Sequence, residues 1–240
     1  MKNKDIQLIE HLDELRQRII KVLLAFILFF VGAFIFVQDI YNWLIRDLDE
    51  KLAVLGPSDI LWVYMMISCV FAIAATIPAA AYQTWKFIAP ALTKDESKVT
   101  LRFIPGLFIL FIIGICFGYF VLFPIVLGFL MSLSAGQFET MFTADKYFRF
   151  IMNLTLPFGF LFEMPLVVMF LTRLGILNPG RLAKARKLSY FVLIIVSILI
   201  TPPDFISDIL VIIPLLVLYE LSVTISKFVY MKRQVNEVTM

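Results

Sequence analysis

Residues Trp85 to Lys98 read W-K-F-I-A-P-A-L-T-K-D-E-S-K and separate two long apolar runs of the chain. The stretch opens with Trp85, an aromatic residue of the kind that lies at membrane interfaces, and contains a helix-breaking proline, Pro90. Two acids, Asp95 and Glu96, follow the proline and stand among lysines. A polar interruption of this composition predicts a loop between two membrane-spanning helices.

Apolar residues make up 61% of the 240-residue chain, and charged residues make up only 16%. A soluble domain is typically about half apolar and about a quarter charged. Because the excess apolar residues come in long runs, the composition predicts an all-α, polytopic membrane protein. The formal net charge of +3 does not indicate nucleic-acid binding.

The sequence lacks the residue patterns that enzyme chemistry requires. His11 is the only histidine, and no Cys/His pair has metal-ligand spacing. The phosphate-binding motif G-x-x-x-x-G-K-[ST] and the catalytic motifs G-x-S-x-G and H-E-x-x-H do not occur. We therefore expect no catalytic residues, no metal, no cofactor and no enzymatic activity.

Six apolar runs predict six transmembrane helices, with polar segments before, between and after them. The runs are Ile19–Val37, Leu61–Trp85, Val99–Met131, Phe150–Leu174, Leu188–Thr201 and Ile209–Leu221. They divide the chain into an N-terminal segment 1–18, a single membrane domain 19–221 and a tail 222–240, which we expect to be frayed. In the connection after the first run, a short interfacial helix is predicted by apolar residues at helical spacing, Ile40, Trp43, Leu44 and Leu48.

Lysines and arginines are distributed unevenly between the two sides of the predicted membrane domain. Seventeen of the 21 lie in or beside the N-terminal segment, the connections after the second and fourth runs, and the tail. Since these residues concentrate in cytoplasmic loops, both termini are predicted to be cytoplasmic. The opposite side keeps only Arg46, Lys51, Lys146 and Arg149.

The fifth and sixth runs are unusually short, and the pair Pro202-Pro203 fixes one end of the fifth. A helix of 14 residues is roughly 21 Å long, whereas the hydrocarbon core of a bilayer is about 30 Å thick. Two interpretations follow. The pair of helices crosses a locally thinned bilayer, or it forms a re-entrant hairpin that does not cross. The basic residues on both flanks are compatible with either.

Three acids of the N-terminal segment, Glu10, Asp13 and Glu14, share one helical face. Leu12, Leu15 and Ile19 take the opposite face. One interpretation is a solvated amphipathic lead-in held by the pairs Glu14–Arg18 and Asp13–Arg16.

A second interpretation joins these acids to Asp95 and Glu96 as one anionic site on an otherwise basic surface. The segment His11 to Arg18 and the Trp85–Lys98 stretch are then the two halves of a recognition surface. Carboxylates so placed would bind a cationic peptide, and arginine is favoured because its guanidinium binds a carboxylate bidentately.

Glu163 lies near the centre of the fourth run, between Pro157 and Pro165. An ionisable side chain at this depth is costly unless it meets a partner or water, so a functional role is the default interpretation. The carboxyl either faces a wet concavity or a polar group of another protein, or it is neutral and bonded to a neighbouring helix.

Asp204 and Asp208 are predicted to cap the sixth helix, a role that fits Asp204 better. Gly114 and Gly118 form a G-x-x-x-G motif, which indicates close helix packing.

Five short motifs occur in order along nearly the whole chain. They are His11-Leu-x-Glu14-Leu-Arg16-x-Arg18, Phe87-Ile-Ala-Pro90-Ala-Leu, Tyr119-Phe-x-x-Phe-Pro124, Phe162-Glu163-x-Pro165 and Thr201-Pro-Pro-Asp204. Together with the two short final runs, they closely resemble the TatC family, the multispanning core of the twin-arginine protein translocase.

The resemblance implies a glove-like concave bundle in the inner membrane that acts as receptor and scaffold for proton-motive-force-driven export of folded proteins. It implies that Glu14 and Glu96 take part in binding twin-arginine signal peptides, with Arg16 and Phe87 nearby, and that Glu163 lines the concave face. It also implies that the final helices bind single-span TatB-like and TatA-like subunits. To the signal-peptide site we add Glu10 and Leu12, and to the intramembrane polar site and partner contact we add Thr201, Asp204, Asp208 and Pro78.

Two other functions are alternatives to that of a translocase receptor. A proton-coupled small-molecule transporter would use Glu163 as its proton carrier, but it should carry several polar residues at the membrane midplane, and this chain offers little besides Glu163. A structural subunit without a ligand would not need the acidic cluster.

One departure from the family concerns the first external loop, where Asp47 stands at a position that is often proline in the family.

Overall fold

The computed structural model describes residues 2–46, 52–92, 94–134, 141–201 and 205–238. Every regular element in these ranges is helical, which confirms the predicted fold class. The α-helices are α1 (Lys2–Ile35), α2 (Val37–Ile45), α3 (Pro57–Ile88), α4 (Lys94–Phe117), α5 (Phe123–Ser134), α6 (Ala144–Phe162), α7 (Met164–Arg173), α8 (Pro179–Lys184), α9 (Arg186–Ile200) and α10 (Phe205–Val238). A 3-10 turn at Ala89–Ala91 follows α3, and a π-helical segment at Gly118–Leu122 joins α4 to α5.

Five helical stretches in the described part are long and apolar enough to cross a membrane. They are His11–Ile35, Pro57–Ile88, Thr100–Leu133, Ala144–Arg173 and Phe205–Lys232, which contain or overlap the first four predicted runs and the sixth. The fifth run forms α9, whose 15 residues are roughly 22 Å long. Helix α9 is therefore short, as predicted, and its crossing of the bilayer stays a prediction.

Three predicted boundaries are wrong. Helix α3 continues through the first four residues of the Trp85–Lys98 stretch, and α4 begins at Lys94, so only residues 89–93 connect them. The tail is not frayed in the described range, since α10 continues to Val238. The reason is burial: Val223 and Ser226, both beyond the sixth apolar run, are 1% and 0% exposed.

The short helix predicted after the first apolar run is present as α2, whereas Leu48 and Asp47 lie outside the described residues.

The chain forms two compact units, Met1–Phe108 and Ile109–Met240, whose boundary falls inside α4. In the first unit, α1 and α2 both pack against α3. Helix α3 buries Val63, Ile67 and Ala72. The apolar residues of α1 stay largely exposed in the isolated chain, as expected for a helix whose other faces contact lipid.

In the second unit, α10 packs against α7 and α9, and α6 packs against the π-helical segment and α5. Its fully buried apolar side chains include Phe148, Leu154, Phe158, Val211, Leu215 and Val223. A buried hydrogen bond of 2.7 Å joins the hydroxyls of Thr172 on α7 and Ser226 on α10. Because hydrocarbon offers no competing hydrogen bonds, such polar contacts help to hold membrane helices together.

Gly114 and Gly118 lie where α6 comes closest to α4 and the π-helical segment. A Cβ atom at Gly114 would be 2.4 Å from the carbonyl oxygen of Phe158, and one at Gly118 would be 2.7 Å from the Cα of Thr155. Since both contacts are with backbone, a side chain fits only if the helices separate. The close packing predicted from the G-x-x-x-G motif is confirmed.

We predict that Gly114→Ala destabilises the protein by about 1–3 kcal/mol, the usual cost of overpacking a well-packed site. The matched control is Gly128→Ala in α5, where a Cβ atom would meet nothing within 4 Å. That substitution should stabilise by about 0.5–1 kcal/mol, because alanine has the higher helix propensity. Thermal unfolding in detergent measures both, and equal melting temperatures for the two variants would contradict the close contact.

Candidate functional site

The N-terminal part of α1 meets the C-terminal end of α3 through two aromatic side chains. The rings of His11 and Phe87 stack with their centroids 4.3 Å apart and their planes at 19°. The stack brings the segment His11–Arg18 against the end of α3. We call these two segments together the N-terminal surface.

Both ion pairs of the solvated lead-in are present on α1. The Arg18 guanidinium donates a hydrogen bond to Glu14, and Arg16 lies 2.9 Å from Asp13. The second oxygen of Glu14 is 3.8 Å from Nδ1 of His11, and the Glu14 side chain keeps 40% of its exposure. A carboxylate has about four acceptor positions, so Glu14 has acceptor capacity left for a ligand.

Arg18 is the more enclosed partner of that pair. Its side chain is 12% exposed, and its Nε is buried without a hydrogen-bond partner among the described residues. Burial of a charged group is costly unless it is paired, so Glu14 is the group that keeps Arg18 in place. The carboxylate therefore has both a structural contact and an open side.

The first turn of α4 is tied to the end of α3. The indole N–H of Trp85 donates a 3.0 Å hydrogen bond to the carbonyl of Ser97. Ser97 directly follows Glu96, so this bond places the backbone of that residue beside the end of α3. The side chains of Glu10, Asp95 and Glu96 lie outside the described part of the structure. Leu12 is exposed on α1.

Glu163 lies at a break between α6 and α7, which divides the fourth predicted run into two helices. Pro165 sits in the first turn of α7, and a proline there has no N–H to donate and conflicts with the carbonyl four residues before it. The carbonyl of Glu163 instead accepts hydrogen bonds from the N–H groups of Leu166 and Val167, both at 3.0 Å. The break thus follows from the proline, which the sequence analysis noted without predicting a break.

The Glu163 carboxyl is poorly satisfied. Its Oε1 is buried and has no hydrogen-bond partner in the part of the chain that the structure describes. The adjoining Phe162 packs against Phe117, with ring centroids 5.4 Å apart, so the surroundings are partly aromatic. One interpretation of the sequence was that this carboxyl is neutral and bonded to a neighbouring helix. The described ranges contain no such hydrogen-bond partner for Oε1.

Thr201 and Asp208 join the end of α9 to the first turn of α10. The buried Thr201 hydroxyl hydrogen-bonds the Asp208 carboxylate and, at 2.8 Å, the carbonyl of Ser197. Asp208 thus binds a side chain of the preceding helix, which is not the capping role predicted for it. Asp204 lies outside the described residues. Pro78 lies inside α3 in the first unit, whereas the other described members of the intramembrane set belong to the second.

A polar cluster that was not predicted from the sequence lies at the other end of α9. Arg186 binds Glu220 of α10 bidentately, at 2.8 Å from Nε and 2.9 Å from Nη2, and the hydroxyl of Tyr190 donates to the same carboxylate at 2.6 Å. The hydrogen bonds with Glu220 raise the pKa of Arg186, so it stays charged. The partners are far apart in sequence, but Glu220 was a visible signal, because it is a second acid inside an apolar run.

The described residues contain no group of three or more His, Cys, Asp or Glu side chains that could hold a metal ion. The polar features that remain are therefore a surface acid at the N-terminal surface, an unsatisfied acid at a helix break, and two linked ends of α9. Such an arrangement suits binding of cationic or polar groups of another chain.

The family described as "TatC: Sec-independent protein translocase protein (TatC)" matches residues 10–214, which include Glu14, Glu163 and the whole of α9. The chain belongs to the TatC family. Sec-independent protein translocase protein TatCd of Bacillus subtilis (strain 168) is 76% identical over 237 residues, covering 99% of this chain and 98% of its own length. TatCy of the same organism is 42% identical over 239 residues, covering 98% and 94%.

A solved TatC structure agrees with the fold. The structure described as "Crystal Structure of Twin Arginine Translocase Receptor- TatC" has a TM-score of 0.80 and 33% sequence identity, covering 91% of this chain and 99% of its own. The resemblance drawn from the five motifs is confirmed. The chain is thus a multi-pass membrane component of the Sec-independent, twin-arginine protein translocase, and this decides against a small-molecule transporter.

We predict that Glu163 and Glu220, two acids of apolar runs, respond oppositely to removal of the carboxyl. Glu163→Leu should keep or raise the melting temperature in detergent, because a buried oxygen without a partner is costly to desolvate. Glu220→Leu should lower it, because Arg186 and Tyr190 lose their acceptor. Equal losses for the two variants would show that Glu163 has a stabilising partner after all.

Proposed function

We propose that this TatC-family subunit is the receptor for twin-arginine signal peptides of folded proteins in the cytoplasmic membrane. The observation that carries the proposal is the stack of His11 on Phe87, which places Glu14 beside the end of α3. The distribution of lysines and arginines supports an orientation with both termini, and hence this surface, in the cytoplasm.

Glu14 and Glu96 would each receive one arginine of the signal peptide. An arginine guanidinium has a planar fork of donors that matches a carboxylate, which lysine lacks. Phe87 and the exposed Leu12 offer apolar contacts to the residues that flank the arginines, and Glu10 adds negative charge on the approach. Arg16 and the neighbouring lysines would repel isolated cations and so restrict the site to ligands that bring two arginines.

The existing Glu14–Arg18 pair does not block this site. A carboxylate has about four acceptor positions, and the hydrogen bond from Arg18 uses one of them, so a ligand could share the carboxylate without displacing Arg18. The Glu14 side chain keeps 40% of its exposure, whereas the Arg18 side chain keeps 12%. The incoming arginine would thus use the open acceptor positions while Arg18 keeps its own.

The second unit would supply the contacts within the membrane. The unsatisfied Oε1 of Glu163 is suited to a polar group of the signal peptide or of a single-span partner. Thr201, Asp204 and Asp208 of this unit would form a contact for the TatB-like and TatA-like subunits, and Pro78 of the first unit would contribute a separate one. Since the sequence has no nucleotide-binding motif, the proton-motive force is the proposed energy source.

We predict that Glu14→Ala and Glu96→Ala each weaken labelling by a photo-crosslinkable signal peptide about tenfold. This corresponds to loss of a charge-assisted hydrogen bond, about 1.5 kcal/mol. The measurement compares Arg-Arg with Lys-Lys peptides on solubilised protein, and only the Arg-Arg peptide should label the wild type strongly.

The matched control is Asp13→Ala, which removes a neighbouring acid that Arg16 already engages at 2.9 Å. It should leave Arg-Arg labelling within about twofold of wild type, as expected for an exposed ion pair. Equal labelling by both peptides, unaffected by either glutamate substitution, would return Glu14 and Glu96 to the role of solvated helix charges.

A further inference from the structure

A cavity of about 220 Å³ lies in the second unit between the N-terminal half of α6 and the C-terminal end of α9. Its lining residues are Lys146, Arg149, Phe150, Asn153, Leu199, Ile200 and Thr201. Its basic residues belong to the connection that the sequence predicts on the non-cytoplasmic side, where lysines and arginines are scarce. Two of the four on that side line this one cavity.

The polar wall of the cavity comes from one face of α6. Lys146, Arg149 and Asn153 follow one another at intervals of three and four residues, so their side chains project in the same direction. Arg149 is bound to Asp145 at 3.0 Å, which offsets part of its charge. Lys146 has no ion pair in the described part of the chain, so the cavity keeps a net positive charge.

Asn153 is the unusual member of this wall. It is exposed, it lies roughly 13 Å along α6 from the first residue of that helix, and it falls inside the fourth apolar run. Its side-chain amide has no hydrogen-bond partner among the described residues. An amide facing hydrocarbon without a partner is costly, so a polar group must reach this depth.

The opposite wall explains how a polar group reaches it. On the predicted crossing, α9, which is roughly 22 Å long, would end at Ile200 short of the far surface of a core about 30 Å thick. Lipids beside that end would then be drawn inward, since a short hydrophobic stretch thins the bilayer around it. Leu199, which is 77% exposed, offers an apolar contact for the acyl chains.

We propose that this cavity binds the phosphate-containing headgroup of an anionic phospholipid from the non-cytoplasmic leaflet. The Lys146 ammonium and the Asn153 amide donate to headgroup oxygens, and the acyl chains leave over Leu199. A volume of 220 Å³ is below that of a typical pocket for a drug-sized ligand, about 300–1,000 Å³, so the cavity suits a headgroup rather than a helix.

The acids nearby do not oppose such a ligand strongly. Asp145 is engaged by Arg149, and Asp208 is engaged by the Thr201 hydroxyl. The Thr201 hydroxyl is thus already engaged, so Thr201 lines the cavity without donating a hydrogen bond to the ligand. Basic pockets between membrane helices bind anionic headgroups by the same chemistry on the cytoplasmic side of other proteins. The inference rests on the proposed orientation of the subunit.

Native mass spectrometry of the detergent-purified chain tests the proposal, with phosphatidylglycerol, phosphatidylcholine or inorganic phosphate added. Wild type should retain phosphatidylglycerol over phosphatidylcholine. Lys146→Gln and Asn153→Leu should each weaken its retention about tenfold, and Lys146→Arg should preserve it. The matched control is Arg46→Gln, which removes another cation predicted on the same side that lies over the Trp43 ring outside this cavity. It should bind as wild type does.

The lipid proposal is overturned if phosphatidylcholine binds equally well, or if Arg46→Gln loses as much binding as Lys146→Gln. It is also overturned if inorganic phosphate displaces the lipid by occupying the same site, or if Lys146→Gln keeps its lipid but loses a co-purifying single-span subunit. Arg-Arg signal-peptide labelling of Lys146→Gln should match wild type, so failure of the receptor proposal is observed separately through Glu14→Ala.

Discussion

The contact between His11 and Phe87 determines how three helices share one surface. Helix α1 packs along α3, and most of its apolar residues face outward. A slip of one helical turn along α3 would move Glu14 by about 5.4 Å and separate it from Phe87. The stack at 4.3 Å fixes that register, and the Trp85–Ser97 hydrogen bond fixes the start of α4 against the same end of α3.

Three acids within or beside the apolar runs show how environment separates structural from functional roles. Glu220 is satisfied by Arg186 and Tyr190, and Asp208 by Thr201, so each joins two helices at an end of α9. Glu163 has the same chemistry but no such partner for Oε1 within the described chain. This difference is why Glu163, and neither of the other two acids, is the one proposed to bind a polar group of another chain.

The two ends of α9 also give the short helix a defined position. Each end is tied to α10, by the Arg186–Glu220 pair at one end and by Thr201–Asp208 at the other. A helix held at both ends has a fixed length, so on the predicted crossing the bilayer would have to adapt to it. The proposed partner contact at Thr201 and Asp208 and the basic cavity of α6 both lie at the Ile200 end of this helix.

The sequence predicted the features that depend on local pattern. Apolar runs located the membrane helices, the spacing of Gly114 and Gly118 predicted the close approach to α6, and five motifs identified the family. Features that depend on tertiary contact were missed. The tail residue Ser226 looks polar and exposed in sequence, yet it is buried against Thr172 and extends α10. Glu220 has no local partner, so its bond to Arg186 was invisible until both helices were placed.

The most direct test of the account is whether the two halves of the N-terminal surface touch in the native membrane. His11→Cys combined with Phe87→Cys, in a chain with Cys69 and Cys116 replaced by alanine, should crosslink efficiently with a short bismaleimide. The pair Ile35→Cys and Phe87→Cys should not, because Ile35 lies 24 residues further along the same helix, about 36 Å away from His11. If the first pair crosslinks no better than the second, the two segments do not form one surface and the receptor site must be sought elsewhere.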